Sequence, residues 1–279
     1  MTAASADQLT ADPGSADRAS AEQARAERGS AELGCAVVVG ATGAVGSVLV
    51  RRLTARGLPV LAVARSKDQL AELAAGSELI TPCVADIGEN AAIEAISGQL
   101  TGPVAMAVMA AGLPVRGSAD TMDPDLLAVG ANIKLGGLVR LLHAVRDRLH
   151  RGSRFVAFAG TLGIEPRAHE AGPGAINAGL LNLMRQISLL YGPRGVTVHA
   201  ICPGPADTPR LRRITAAVAA ERGVPAGEVW QEYEQRNSLG RLPTADEIAW
   251  AVTLLLEPEA DVMHGGVLHL DAGGLGGIH

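Results

Sequence analysis

From Cys35 to Gly274 the sequence alternates short, almost wholly apolar runs with longer stretches in which apolar residues recur at helical spacing. The runs are CAVVVG (35–40), LPVLAVAR (58–65), ELITPCVAD (78–86), PVAMAVMAAG (103–112), SRFVAFAG (153–160), GVTVHAICPG (195–204) and GGVLHLDAGG (265–274). A strand that is apolar on both faces has to be covered on both faces, which is the pattern of a parallel sheet with helices above and below it. The regular alternation therefore predicts an α/β, doubly wound parallel sheet in a single domain over 33–279, with helices near 43–56, 122–150 and 173–192. In such a sheet ligands bind beyond the carboxyl ends of the strands, near the switch in strand order. The chemistry is therefore expected just after Val39, Ala64, Ala85, Ala110, Ala159 and Ile201.

The segment ahead of this pattern differs in kind. Residues 1–32 are Ala, Ser, Asp, Glu and Arg with almost no large apolar side chain, and they read as a disordered tail without the apolar core of a signal peptide. No apolar run reaches the about 18 residues of a membrane span. A net charge of −5 without a Lys/Arg run argues against nucleic acid, and 2% aromatics leave little for base stacking. Cys35, Cys83 and Cys202 stand singly in apolar runs, so they read as buried thiols in a reducing, cytoplasmic setting. The seven histidines show no metal spacing, and His199, inside a strand, reads as a satisfied core histidine. Twenty-two arginines against two lysines point to a GC-rich bacterial source.

The first apolar run leads into GATGAVG, which places Gly40, Gly43 and Gly46 three residues apart between a strand and a helix. Glycines there allow a sharp turn, a close backbone approach to a diphosphate and tight helix–strand packing, while the helix N-terminus offers free N–H groups to the anion. Thr42 and Val45 belong to the same turn. This is the phosphate-binding element of a Rossmann sheet, although its spacing departs from G-x-G-x-x-G. The second run ends in Arg65, Ser66 and Lys67 rather than in the acid that would select a free ribose hydroxyl. Cations there suit a 2′-phosphate, so NADP(H) is expected in preference to NAD.

With these pieces in place the chain resembles the short-chain dehydrogenase/reductase family over nearly all of residues 35–275. The matching stretches are GATGAVG, the Ala85–Asp86 pair, MAAG (109–112), ANIKLGGL (131–138), GPRGVTVHAICPGPADTP (192–209), GRLPTADEIAWAVTLLL (240–256) and HLDAGG (269–274). The resemblance implies that Asp86 contacts the adenine and that Ala111 and Gly112 pass beneath the adenine-side ribose. It also implies that Pro203, Gly204 and the stretch to Thr208 border the nicotinamide, and that residues of about 207–238 form a mobile lid. A homo-oligomer, dimer or tetramer, built on the two long helices is implied as well.

The family's active residues are an Asn on the long fourth helix, a Ser after the fifth strand and a Tyr-x-x-x-Lys on the next helix. Asn132 lies where the Asn belongs, but a gapless count back from AICPG puts Gly160 at the Ser position, Pro173 at the Tyr position and Asn177 at the Lys position. Composition excludes a slipped register: the lysines are Lys67 and Lys134, the tyrosines Tyr191 and Tyr233, and no serine occurs between Ser153 and Ser188. Asn177 keeps hydrogen-bonding capacity for a ribose but carries no charge. Thr161 is the hydroxyl nearest to the lost serine, and His169 is the best acid/base candidate in the loop EPRAHEAGPG. Trp230 and Tyr233 read as residues that pack the lid on the domain.

The sequence thus points to an NADP(H)-binding enzyme with a non-standard active site, an oxidoreductase acting on a small carbonyl or enoyl substrate. The alternatives are a non-redox enzyme on the same fold (a cyclase, isomerase or dehydratase) and a catalytically silent cofactor sensor.

Overall fold

The computed structural model describes residues 34–277, so the tail expected over 1–32 lies outside the described residues. Seven strands form one sheet: β1 (Cys35–Val39), β2 (Val60–Ala64), β3 (Ile80–Val84), β4 (Val104–Met109), β5 (Leu149–Phe158), β6 (Thr197–Pro203) and β7 (Val267–Leu270). Every pairing is parallel, and the order is β3-β2-β1-β4-β5-β6-β7. The order reverses between β1 and β4, which places the expected ligand crevice beyond Val39 and Met109.

Alternate residues of each strand feed two separate cores. Val37 and Val39 join Phe155, Ala157, Leu138, Leu141, Leu180 and Met184 on one face. Ala36 and Val38 join Val156, Phe158, Leu49, Leu53, Ile248 and Val252 on the other. A period of two with both faces buried produces a run that is apolar throughout. The exception is β3, at the sheet edge, where Thr81 and Pro82 are exposed; a proline lacking an N–H is tolerated there because no further strand has to pair with it.

The covering helices are α1 (Ala44–Ala55), α2 (Lys67–Ala74), α3 (Ala91–Ser97), α4 (Pro124–Ala131), α5 (Gly137–Val145), α6 (Ala171–Tyr191), α7 (Pro209–Arg222), α8 (Ala226–Gln235) and α9 (Ala245–Leu254). Asp123 starts α4 by accepting from Asp125 and Leu126 N–H groups, with Pro124 in the first turn. A capping box between Thr244 and Glu247 starts α9, and Arg52 of α1 forks onto Asp246 to hold the two helices side by side.

Several expectations change. The long fourth helix is not continuous: a π turn at Asn132–Gly136 separates α4 from α5, and the helix stops at Val145. The chain from Leu149 already belongs to β5, because the Ser153 hydroxyl donates to the Val104 carbonyl and accepts from the His150 N–H across an irregular register. The stretch Pro124–Val145 has the length and mean apolarity of a membrane span, yet Leu138, Leu141 and Val145 are core residues and Lys134 lies in its middle. His199 is fully buried, but neither ring nitrogen has a hydrogen-bond partner among the described residues, and burial followed by Arg154 pushes its pKa down to about 4. Of the cysteines, Cys83 and Cys202 are buried and Cys35 is half-buried.

The expected lid consists of α7 and α8. The Thr208 hydroxyl caps α7, Gly223 in the left-handed region ends it, and Arg222 pairs with Glu232 of α8 through two hydrogen bonds.

Candidate active site

The turn after β1 is shaped by close backbone approaches. Gly40 has φ +83°, and a Cβ there would lie 2.9 Å from the Ala110 carbonyl and the Ala111 nitrogen. A Cβ on Gly46 would lie 2.1 Å from the Gly40 carbonyl oxygen. Gly43 is the N-cap of α1, and no side chain caps that helix or places an acid in its first turn. Its amide dipoles therefore face open space at the sheet's switch point, the arrangement that attracts an anion.

This turn forms one wall of a cavity of about 230 Å³ that is also lined by Thr42, Arg65, Asp86, Ala111 and Gly112. The Arg65 guanidinium is exposed and lies 4.0 Å from the Asp86 carboxylate. Asp86 also accepts from the Gly88 N–H at 2.8 Å, which fixes the carboxylate in the loop after β3. Three of the expected cofactor contacts serve the walls from behind instead. Gly46 is packed under Gly40, and Val45 is half-buried against the second core. The Ser66 hydroxyl accepts from Gln69 N–H as the N-cap of α2.

A second cavity, of about 350 Å³, lies further along the strand ends and is lined by Gly160, Thr161, Pro173, Asn177, Pro203, Gly204 and Thr208. Gly160 and Asn177 fit against each other. A Cβ at residue 160 would lie 2.9 Å from Asn177 Nδ2, so the amide leans into space that a larger side chain at 160 would claim. Asn177 is 5% exposed, and its Oδ1 has no hydrogen-bond partner among the described residues. This buried acceptor has an unmet hydrogen bond beside the cavity. Pro173 occupies the first turn of α6, where its missing N–H leaves no helical bond unmade.

Two residues expected in this cavity are elsewhere. Asn132, at the π turn, donates from Nδ2 to the Gly88 carbonyl at 2.8 Å and accepts from Arg140 Nη2 at 2.9 Å. It thereby ties the helix to the loop after β3 and is not on the cavity wall. His169 is exposed on its loop near Asp120, while its neighbours Arg167 and Glu170 line the cavity.

Tyr233, expected to pack the lid on the domain, reaches the cavity from α8, with the Arg236 guanidinium 4.7 Å above its ring. The structure also adds residues not singled out in the sequence. Arg116 and Arg210 also line the cavity. Arg210 Nη2 donates to the Leu113 carbonyl at 2.8 Å, and its Nη1 is 3.2 Å from where a Cβ on Gly112 would be. It therefore stands at the boundary between the two cavities.

Beneath them, on the π turn, Lys134 is buried and donates to the Phe158 carbonyl. Burial, with Arg210 adding, pushes its pKa down to about 8. Burial pushes the neighbouring Cys202 thiol up to about 11, opposed by a hydrogen bond from Gly160 and by Lys134. A lysine in the middle of the apolar stretch ANIKLGGL was the available signal, because a cation at a buried helix position needs a reason.

The family model described as enoyl-(acyl carrier protein) reductase matches residues 40–274. The chain is 29% identical over 245 residues to acetoacetyl-CoA reductase of Shinella zoogloeoides, covering 85% of this chain and 97% of that protein. The solved structure of an actinorhodin polyketide ketoreductase variant with NADPH superposes with a TM-score of 0.80 at 27% identity, over 88% of this chain and 98% of that one. The NADPH-bound short-chain oxidoreductase of Pseudomonas aeruginosa, described as containing an atypical catalytic center, shares the fold with a TM-score of 0.78 at 22% identity, over 88% and 98% of the two chains.

Proposed function

Because the chain belongs to the short-chain dehydrogenase/reductase family, we propose that it is an NADP(H)-dependent oxidoreductase acting on a carbonyl or enoyl group, with a non-standard proton donor. One observation carries this reading: two cavities stand end to end along the carboxyl ends of the strands and meet at Gly112 and Arg210. The first has the features a dinucleotide's adenine half requires. Gly40, Gly43 and the start of α1 would hold the diphosphate, Arg65 a 2′-phosphate, Asp86 the adenine, and Ala111 and Gly112 the ribose. In the second, Asn177 Oδ1 is an unpartnered acceptor suited to a ribose hydroxyl, with Pro203, Gly204 and Thr208 bordering the nicotinamide. Bound NADPH supplies the hydride.

The chain's own residues have to orient the acceptor and deliver a proton. On the register that the resemblance implies, Gly160, Pro173 and Asn177 take the positions of the family's Ser, Tyr and Lys; all three line the second cavity, and none of them releases a proton near neutral pH. Losing a general acid removes a factor of roughly 10²–10⁴, whereas alignment of the two reactants is worth an effective molarity of about 10⁵ or more. Hydride transfer is therefore compatible with this wall, at a reduced rate or with another acid. Tyr233 is a phenol on the same cavity with a cation over its ring, and Thr161 is a hydroxyl beside Gly160. Exposed Leu126 and Val129 on α4, with Leu189 and Leu190 on α6, favour a homo-oligomer through the two long helices.

The reading is tested by fluorescence titration of NADPH and NADH, followed by transfer of deuterium from 4-deuterated NADPH to a panel of ketones and enones. Tighter NADPH binding and deuterium in product are expected; a protein that binds neither nucleotide overturns it. A second reading, a non-redox enzyme, rests on the absence of a titrating side chain at 160, 173 and 177. Turnover that persists after all nicotinamide nucleotide is removed would decide for it.

A further inference from the structure

The substrate-side cavity has a charge character that transfer of hydride to a neutral ketone does not need. Four guanidinium groups line it, those of Arg116, Arg167, Arg210 and Arg236, against one carboxylate, that of Glu170. The chain as a whole carries a net charge of −5. The four come from separate segments: the loop after β4, the loop after β5, the first turn of α7 and the end of α8. Convergence from four segments distinguishes this set from the solvated face of one helix.

Among the described residues none of the four is in an ion pair. Of the other arginines on α7, Arg212 pairs with Asp207 and Arg222 with Glu232, while Arg213 donates to the Pro209 carbonyl. Unpaired cations crowded around a partly enclosed space repel one another. Arg210 shows it: burial first, then Arg116, holds its pKa below the usual arginine value, with Glu170 opposing. The rest of the wall includes Leu162, Pro173, Leu211 and Ile214, which present apolar surface.

We propose that this cavity takes an anionic substrate, an apolar-bodied molecule carrying a carboxylate or phosphate that Arg116, Arg210 and Arg236 bind. This rests on the oxidoreductase reading for the reaction but not for the binding. Arginine is the side chain suited to such groups, because its planar fork donates two parallel hydrogen bonds to a carboxylate or phosphate and stays charged throughout the working pH range. An anion would also remove the repulsion between Arg116 and Arg210. The phosphates of NADPH do not account for the set, since the anion-attracting turn and Arg65 lie on the other cavity.

The test is isothermal titration of the full chain, with and without NADPH, using 4-phenylbutyrate, its neutral amide 4-phenylbutyramide, and phenyl phosphate. The two anions are expected to bind and the amide to bind at least about tenfold more weakly, the value of one charge-assisted fork. Whichever anion binds more tightly identifies the group. Arg116→Gln and Arg236→Gln, both at exposed positions, are each expected to weaken the anions about tenfold and leave the amide unchanged. Arg210→Gln serves as a third variant, checked by circular dichroism because the substitution removes the bond to the Leu113 carbonyl. Equal binding of amide and acid, no binding of either anion at millimolar concentration, or variants that weaken NADPH while sparing the anions would each overturn the proposal. If the anions bind as expected and NADPH does not, the oxidoreductase reading fails while this one stands.

Discussion

The two halves of the site are made of different material. The adenine-side cavity is built from backbone: Gly40, Gly43, Ala111 and Gly112 supply its surface, and a single charged pair, Arg65 and Asp86, marks its far end. The second cavity draws mainly on side chains from the end of β6, from α6, α7 and α8, and from the loops after β4, β5 and β6. Backbone shape depends on glycines that must stay glycines. Side-chain walls can be replaced one residue at a time, and here Gly160, Pro173 and Asn177 line a cavity beside a turn that holds Gly40, Gly43 and Gly46. On the proposed reading, dinucleotide binding and the choice of proton donor rest on separate parts of the fold.

The largest expected effect breaks the first half. Gly46→Ala drives a methyl to 2.1 Å from the Gly40 carbonyl, so the turn has to open. NADPH affinity should fall more than about 100-fold, with about 3 kcal/mol lost from stability, read by fluorescence titration and a thermal melt. A variant that binds NADPH normally would show that the turn is not a rigid cradle.

Next comes Lys134, buried against the Phe158 carbonyl and near Cys202. Its folded pKa of about 8 lies below the ordinary value of 10.5. Between those two values the unfolded chain holds a proton that the folded chain has released, so stability rises with pH across that window. Below about pH 8 the buried ammonium costs its full desolvation. Lys134→Met is therefore expected to be more stable than the parent at pH 7, by up to about 3 kcal/mol, with the gap closing towards pH 10.5. Urea unfolding at several pH values measures it, and NADPH affinity should be little changed. A variant less stable at pH 7 would assign the lysine a net stabilising bond to the Phe158 carbonyl.

Arg65→Gln should weaken NADPH by about 2 kcal/mol and leave NADH unaffected, since only the former has a 2′-phosphate for the guanidinium. Equal losses for both nucleotides would place Arg65 in the support of Asp86 instead. The smallest effect concerns the second half. Gly160→Ser should cost about 1–2 kcal/mol, because its Cβ meets Asn177 Nδ2 at 2.9 Å. Adding Asn177→Ala should recover at least half of that, and the double-mutant cycle measures the coupling. Strict additivity would mean that the two side chains adapt independently.

The same division explains what could be read in advance. Apolar runs report backbone, so the sheet and its switch point were legible from residues alone, and Gly40, Gly43 and Arg65 do line a cavity at that point. Ser66 and Val45 were misplaced because adjacency in sequence does not say which way a side chain faces: one caps α2 and the other packs inward. Asn132 was expected in the cavity because its hydrogen bond to the Gly88 carbonyl, 44 residues away, and the one from Arg140 cannot be read from sequence spacing. The arginine set was illegible because Arg116, Arg167, Arg210 and Arg236 are far apart in the chain and meet only when four loops and helix ends converge.

The contact between Gly160 and Asn177 also couples two positions on one wall. A Cβ at residue 160 would meet the end of a flexible amide and not backbone, so a serine there would be accommodated by moving Asn177 Nδ2. The shape of this part of the cavity is therefore set by the two positions jointly, and a change at either one is read out at the other.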